Sequence, residues 1–498
     1  MKLGKCIFKM VILITIFILL AFGGYSAFAQ NAKKKCGDGI CDGDEQMDPN
    51  LCPRDCTPST RSKPEPGRFN VAKLPFAFGM GVPPNEINKN LNEAVEMGLE
   101  WVRLAGPTGI VWDQIERTPG KYDWRMSDKV ISTTYRTGIK IFMTVLVVNK
   151  AHQVAYGYAP ADMEAYTTFL SKAVERYDGD GFNDAPGAPV VNVWQIGNEI
   201  DNPLWKDSLK HYASLLKASY KAVKSANPDA KVAIAGMLGP TGMRKYAEVL
   251  SFLRGDIYLD IFDIHWHAIA GGNYRNQKGP RGRTENFDEY ISGVRRVLND
   301  TGYTHVEIWI TEMSASHDKP VGKTEKTQAI ELIKRYLYPV SSGVSVIFWG
   351  IHDMCWMADC SHYFASTGLI TQTGHKKLAY FTYRLMVAML EKMDWNTLEI
   401  VQESDHVYIY KLTKKDTKTS TWIAWRDYFD DTGASKTVTL PVGNIKSVKI
   451  IEAVPNVASG AEINKKEYLN FFTTETQQVR NGEIILTLQE RPIFIVMQ

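Results

Sequence analysis

The chain carries no marked excess of charge of either sign. Against 58 lysine and arginine residues stand 55 aspartate and glutamate residues, a formal net charge of +3. Lys2, Lys5 and Lys9 supply that excess within the first 29 residues, where no acid occurs. The remainder is balanced, so nothing in its charge invites a polyanion, and no nucleic-acid partner is expected. Long apolar runs are also missing, apart from the stretch from Met10 to about Phe22, which is short for a bilayer span. A glycine-rich phosphate loop after the first strand, the mark of an open doubly wound nucleotide-binding sheet, is absent. Cysteine is scarce, with seven residues in all and none between Cys56 and Cys355.

What is there begins with an address. The three lysines, the apolar stretch and the small residues of Ala27-Phe28-Ala29 read as a signal peptide over residues 1–29, cleaved before Gln30. This predicts export to the cell surface, the periplasm or the medium. Left uncleaved, the same segment is an N-terminal anchor. Cysteine usage agrees with an oxidising compartment and predicts disulfides: Cys36, Cys41, Cys52 and Cys56 cluster in a module over 30–56, and Cys355 and Cys360 are expected to pin the loop after Trp349. Four cysteines allow three pairings, and the module can be purely structural. Asp38, Asp42, Asp44, Glu45 and Asp48 also offer oxygen ligands for a structural calcium, although their spacing is not that of an EF-hand loop. Residues 57–67, rich in proline and hydroxyl side chains, read as a linker.

From residue 68 to 396, apolar strand candidates alternate with segments of helical periodicity. The strands fall at Phe76–Val82, Trp101–Leu104, Lys140–Val148, Val190–Ile196, Lys231–Met237, Ile261–His267, His305–Thr311 and Val344–Gly350. Leu209, Tyr212, Leu215, Leu216 and Tyr220 show the helical spacing between them. Eight such alternations predict a (β/α)8 TIM barrel in the α/β class. From 397 to 498 short alternating strands predict an all-β sandwich, a stabilising companion domain with no evident aromatic row for carbohydrate.

Two strand ends carry glutamates, Glu199 in Val-Trp-Gln-Ile-Gly-Asn-Glu and Glu312 in Ile-Trp-Ile-Thr-Glu-Met. At the fourth and seventh strands of a parallel barrel, both would be aimed from rigid elements into one cleft. Asn198 and Glu199 can both enter it only if the strand turns or bulges there, because simple alternation sends neighbours to opposite faces. His265 and His267 share one face of the sixth strand. Two histidines at this spacing can also bind zinc, but the other ligands of a barrel metallohydrolase are not apparent, and no catalytic metal is expected.

These motifs, with Phe348-Trp349-Gly350, Gly368-Leu-Ile, His375 to Tyr383 and the run Trp112-Asp-Gln-Ile-Glu-Arg-Thr-Pro-Gly-Lys-Tyr-Asp-Trp124, resemble clan A glycoside hydrolases (the 4/7 superfamily) across the whole barrel. The similarity points to a divergent family-39-like group, with touches of families 5 and 53. The resemblance implies a retaining double displacement without cofactor, in which Glu199 is the general acid/base and Glu312 the nucleophile. It further implies that Arg103 compensates the charge of Glu312 and that Asn198 binds the hydroxyl next to the anomeric carbon. Trp349 would form the aromatic floor of the cleaved subsite, and Trp205, Trp266 and Trp356 offer further stacking surfaces. Many clan members carry His-x-Tyr where this chain has His265-Trp-His267, so the contact to the nucleophile would fall to an imidazole.

The function expected is thus a secreted β-glycoside hydrolase acting on a poly- or oligosaccharide. A transglycosylase on the same scaffold and a non-catalytic carbohydrate-binding or cell-surface module are the alternatives. The basic loop with Arg275, Lys278, Arg281 and Arg283 reads as solvated charge, or as a contact for an acidic glycan.

Overall fold

Eight strands, all parallel to their neighbours, close on themselves: β1 (Phe76–Met80), β2 (Trp101–Leu104), β3 (Lys140–Leu146), β4 (Val193–Ile196), β5 (Lys231–Ala233), β6 (Ile261–Ala268), β7 (Glu307–Ala315) and β8 (Val344–Gly350). β1 pairs with both β2 and β8, which completes the ring. This computed structural model describes residues 76–80, 87–268, 277–278, 284–285, 287–315, 324–354, 363–427 and 435–498. The signal segment, the cysteine-rich module with its calcium candidates, the linker, Cys355, Cys360, Trp356, Arg275, Arg281 and Arg283 lie outside them, as does the side chain of Lys278.

The barrel interior is layered, because inward positions recur every second residue along each strand. Its lower layer is apolar, built of Trp101, Phe142, Val193, Ala233, Ile261, Trp309, Val346 and Phe348. Two residues further along each of five strands the layer turns polar: Arg103, Thr144, Gln195, Asp263 and Thr311 are all buried and joined by hydrogen bonds. The catalytic candidates sit above this second layer. At the opposite, N-terminal mouth a cavity of about 410 Å³ lies among Trp101, Lys140, Lys231, Glu307 and Trp309. Of its two carboxylates, Asp229 and Glu307, the latter is engaged by Lys231, as expected of an end that serves stability.

Among the described residues eight helices of ten or more residues surround the barrel: α1 (Ile87–Met97), α2 (Arg125–Tyr135), α3 (Met163–Arg176), α4 (Leu209–Ala226), α5 (Met243–Phe252), α6 (Phe287–Thr301), α7 (Glu325–Ser341) and α8 (Leu378–Leu390). Their starts follow from local chemistry. The side chains of Asp162 and Ser208 accept the N–H groups of Ala165 and His211 and so cap α3 and α4. α4 buries Tyr212, Ala213, Leu215, Leu216, Ser219, Ala222 and Val223 on one stripe and turns its opposite face to solvent. Among the described residues no helix is long and apolar enough to cross a membrane.

α7 departs from that pattern, since residues 328–341 are buried all round. The cause is the C-terminal sheet. β9 (Met393–Ser404), β10 (Val407–Lys414), β11 (Ser420–Arg426), β16 (Ile493–Met497), β13 (Ser447–Glu452) and β14 (Thr474–Gln478) form one sheet in that order, and β12 (Lys436–Pro441) pairs with β15 (Glu483–Leu488) in a second. Alternation along β10 serves two cores at once. Tyr408 and Tyr410 join the core continuous with the barrel, and Val407 and Ile409 face Leu440, Ile484 and Leu486 of the smaller sheet. β9 and β14 escape the sequence pattern because their exposed, polar-rich residues blur alternation.

Two ion pairs are sealed beneath the large sheet. Lys334 donates to Asp427, each side chain 1% exposed, and Arg335 pairs with Glu331 at 3.4 Å while lying over the Trp266 ring. Deleting one partner strands a buried charge. Lys334→Ala is therefore expected to destabilise the protein by about 3–5 kcal/mol, and Lys334→Met with Asp427→Leu to recover most of that loss, as read by denaturant unfolding.

Candidate active site

Glu199 reaches the cleft through a backbone irregularity. β4 ends at Ile196, and Gly197 (φ 78°) and Glu199 (φ 44°) both take left-handed conformations. That break lets Asn198 and Glu199 enter on the same side. Asn198 Oδ1 accepts from Arg103 at 2.7 Å, and Glu199 Oε1 lies 2.8 Å from His265 Nδ1. Asn202 Nδ2 donates to Glu199 Oε2 at 3.0 Å.

Glu312 uses a different device. Its strand shifts register against β6 between Ile310 and Glu312, so the ladder skips Thr311. Thr311 and Glu312 consequently both face inward, and Met313 returns to the outer layer. Arg103 Nη1 donates to Glu312 Oε1 at 2.5 Å, and His267 Nε2 and His265 Nδ1 stand 3.4 and 3.7 Å from Oε2. The side chain keeps 32% of its surface exposed, so it faces an open cleft.

The two carboxylates share a neighbour, which bounds their separation. His265 Nδ1 is 2.8 Å from Glu199 Oε1 and 3.7 Å from Glu312 Oε2, so these oxygens lie within about 6.5 Å, the sum of the two distances. Carboxyl pairs that leave room for an intervening water stand about 6.5–9.5 Å apart, and pairs suited to direct attack about 5–5.5 Å.

Electrostatics divides their roles. Burial works to raise the Glu312 carboxyl, but His265, Arg103 and His267 overcome it and hold the group well below the usual carboxylate range. Burial also pushes the His265 imidazole down, and here Glu312, Asp263 and Glu199 win, raising it to about 10. Asp201, two residues beyond Glu199, is raised to about 6 by burial and the Glu199 charge, although it accepts the Leu238 N–H. Tyr156, on the loop after β3, is raised by burial and by Glu199, which puts a phenol on the Glu199 side of the cleft.

These shifts set a stability window. His265 is raised above its ordinary 6.5, so its contribution is complete below that pH and is lost as pH climbs towards 10. Glu312 is lowered below its ordinary 4.5, so its contribution is present above that pH and is lost on acidification. Melting temperature is expected to peak between these values. Glu312→Gln should flatten the acidic side, and calorimetry across pH checks it.

Three sequence expectations change. Trp349 is wholly buried, donates to Thr367 O at 3.1 Å and stacks on Tyr336 of α7, so it is no floor of an open subsite. Its neighbour Phe348 takes the inward position of β8 and alternation turns Trp349 outwards. Trp266 points away from the cleft for the same reason, lying between His265 and His267 on the strand. It packs on Phe287 at 4.4 Å under Arg335. Trp205 is half-buried against Tyr212 rather than presented as an open stacking face.

The sequence reading missed the layer beneath. Gln195 accepts from Arg103 and Thr144 and donates to Asp263, and Asp263 also accepts from Thr311 N and Oγ1 at 3.1 and 2.6 Å. The signal was available, since Asp263 precedes His265 by two residues and shares its face. Gly236 was missed too: a Cβ there would stand 2.0 Å from His265 Nε2, so glycine makes room for the ring. His265, His267 and Glu312 bring ligand-type atoms within 4.8 Å of one another. His265 is already committed to Glu199 at one ring nitrogen and to Thr311 and Asp263 at the other, so the group reads as a hydrogen-bonding set.

A closed parallel barrel with carboxylates carried by strands four and seven is the fold that the motifs implied. No family model matches the chain, and no curated protein matches it by sequence. Solved structures do. A family 39 glycoside hydrolase from Bacteroides cellulosilyticus WH2 superposes with a TM-score of 0.63 at 19% identity, covering 86% of this chain and 81% of that one. A monomeric β-xylosidase from Caulobacter crescentus CB15 gives 0.59 at 15%, covering 88% and 97%. A thermostable family 51 α-L-arabinofuranosidase from Thermotoga petrophila RKU-1 gives 0.57 at 15%, covering 86% and 94%.

Proposed function

We propose that the protein is a retaining glycoside hydrolase in which Glu312 is the nucleophile and Glu199 the acid/base. The single observation that supports this reading is the pair of carboxylate oxygens within about 6.5 Å of one another across His265, at or below the short end of the inverting range. The charge state of Glu312, held low by Arg103 and two histidines, supports its role as the attacking group. In the first displacement a Glu312 oxygen bonds to the anomeric carbon as the glycosidic C–O bond breaks and Glu199 protonates the leaving oxygen. In the second, Glu199 takes a proton from water as that water displaces Glu312. Asn198, fixed by Arg103, is placed to bind the hydroxyl beside the reacting carbon. No cofactor enters this chemistry.

The structural neighbours include a β-xylosidase and an α-L-arabinofuranosidase, so a pentoside of a plant-type polysaccharide is the first substrate class to try. Export through the N-terminal segment belongs to the same proposal, since such polymers lie outside the cell. The test is incubation with a panel of activated 2-deoxy-2-fluoro glycosides, followed by intact mass and peptide mapping. One sugar on Glu312 is expected. Hydrolysis without labelling, together with a product of inverted configuration, would overturn the retaining account.

A further inference from the structure

His265 stands between the two carboxylates, yet it is fully buried, and burial disfavours the charged ring. Its hydrogen bonds identify the protons it carries. The Thr311 hydroxyl donates to Asp263 Oδ2 at 2.6 Å, so at 3.3 Å from His265 Nε2 its oxygen can only accept, and Nε2 carries a hydrogen. At the other end Nδ1 meets Glu199 Oε1 at 2.8 Å, and with the acid proton of Glu199 on Oε2 this oxygen also needs a donor. A ring that donates from both nitrogens is an imidazolium. The countercharge behind it is Asp263, whose Oδ2 is 3.7 Å from Nε2.

Asp263 itself is wholly buried and held by acceptor bonds from Gln195 Nε2, Thr311 N and Thr311 Oγ1. Gln195 cannot turn over. Its oxygen faces Arg103, which only donates, and its nitrogen faces Asp263, which only accepts. On the far side Gly236 leaves the ring no slack. The charged and titratable groups around the imidazole are Glu199 and Asp201 beyond β4, Glu312 on β7 with Arg103 of β2 behind it, and Asp263 and His267 on its own strand.

We propose that Asp263 is a positioning residue whose buried carboxylate keeps His265 a fixed cation between Glu199 and Glu312. In the first displacement Glu312 loses its negative charge to the new C–O bond, and Glu199 gains one as its proton leaves with the alcohol. The charge thus moves from one neighbour of His265 to the other, and the same counter-ion faces it before and after. A cation already in place needs no reorganisation during the step. This inference rests on the proposed glycosidase reading for its consequence, but not for its geometry.

The sign of the test follows from charge alone. Removing the negative charge of Asp263 makes every proton in the cluster easier to lose, so Asp263→Asn should move the alkaline limb of the kcat/KM profile to lower pH, by about 1–3 units. In nitrogen-15 NMR of histidine-labelled protein, assigned by loss of the signal in His265→Asn, the ring of the parent should stay doubly protonated through neutral pH. Its titration should fall in Asp263→Asn by the same amount. Thr144→Val breaks a hydrogen bond in the same buried layer but changes no charge, so it should leave both the limb and the titration in place.

Equal titration of His265 in the parent and Asp263→Asn would overturn the proposal, as would an equal displacement in Thr144→Val, which marks a merely structural layer. A misfolded Asp263→Asn leaves the question to the parent, where a neutral His265 ring at pH 7 is refutation. Should no glycoside be turned over, the glycosidase reading fails while the NMR arm still decides the state of His265.

Discussion

Glu312→Ala is expected to lower kcat by at least about 10⁴-fold on any glycoside the parent hydrolyses, with KM changed far less. The side chain makes the bond to carbon, so its loss removes a reaction path and not an increment of affinity. Added azide provides a discriminating check. In the space left by the side chain, azide attacks once and yields a glycosyl azide of inverted configuration. Parent-like turnover in the variant would remove Glu312 from the chemistry. The fold should survive, because releasing Arg103 from an ion pair leaves it bonded to Gln195 and Asn198.

Glu199→Ala has a different signature, one that separates acid from nucleophile. Substrates with a poor leaving group should lose about 10²–10⁴-fold in kcat/KM, the usual worth of a positioned general acid. A dinitrophenyl glycoside needs no protonation of its leaving group, so its first displacement should stay near the parent rate. Deglycosylation then slows, the covalent intermediate accumulates and KM falls. Uniform loss across leaving groups, measured by stopped-flow with a graded aryl series, would contradict the assignment of Glu199. Here azide should restore turnover with retention, the opposite stereochemistry from the Glu312 case.

Much of this architecture was legible beforehand because period-two alternation is a local property. The β3 segment, Lys140–Leu146, carries apolar residues on both sides of the backbone, as strands buried in a closed barrel do, whereas β6, Ile261–Ala268, is apolar on one side and carries Asp263, His265 and His267 on the other. Even the irregularity at Asn198-Glu199 was deducible, since two adjacent polar side chains cannot enter one cleft from a regular strand. The register shift beside Thr311 was not, because a bulge shows only against the partner strand. The tryptophans fared worse for a related reason. A strand-end Trp looks alike whether it faces the axis or the helices, and Phe348 rather than Trp349 took the inward place.

By itself the sequence determined the alternation of strands and helices, the change of pattern near residue 397 and the two glutamates carried by the fourth strand's exit and by the seventh strand. These are readable because they depend on neighbours along the chain. Only the tertiary structure decided that Asp263, Gln195 and Thr311 make a polar layer under the cleft, that His265 stands between the carboxylates, and that α7 is buried on every side. Those features come from residues tens of positions apart, whose charges and hydrogen bonds are strong only where folding has excluded water.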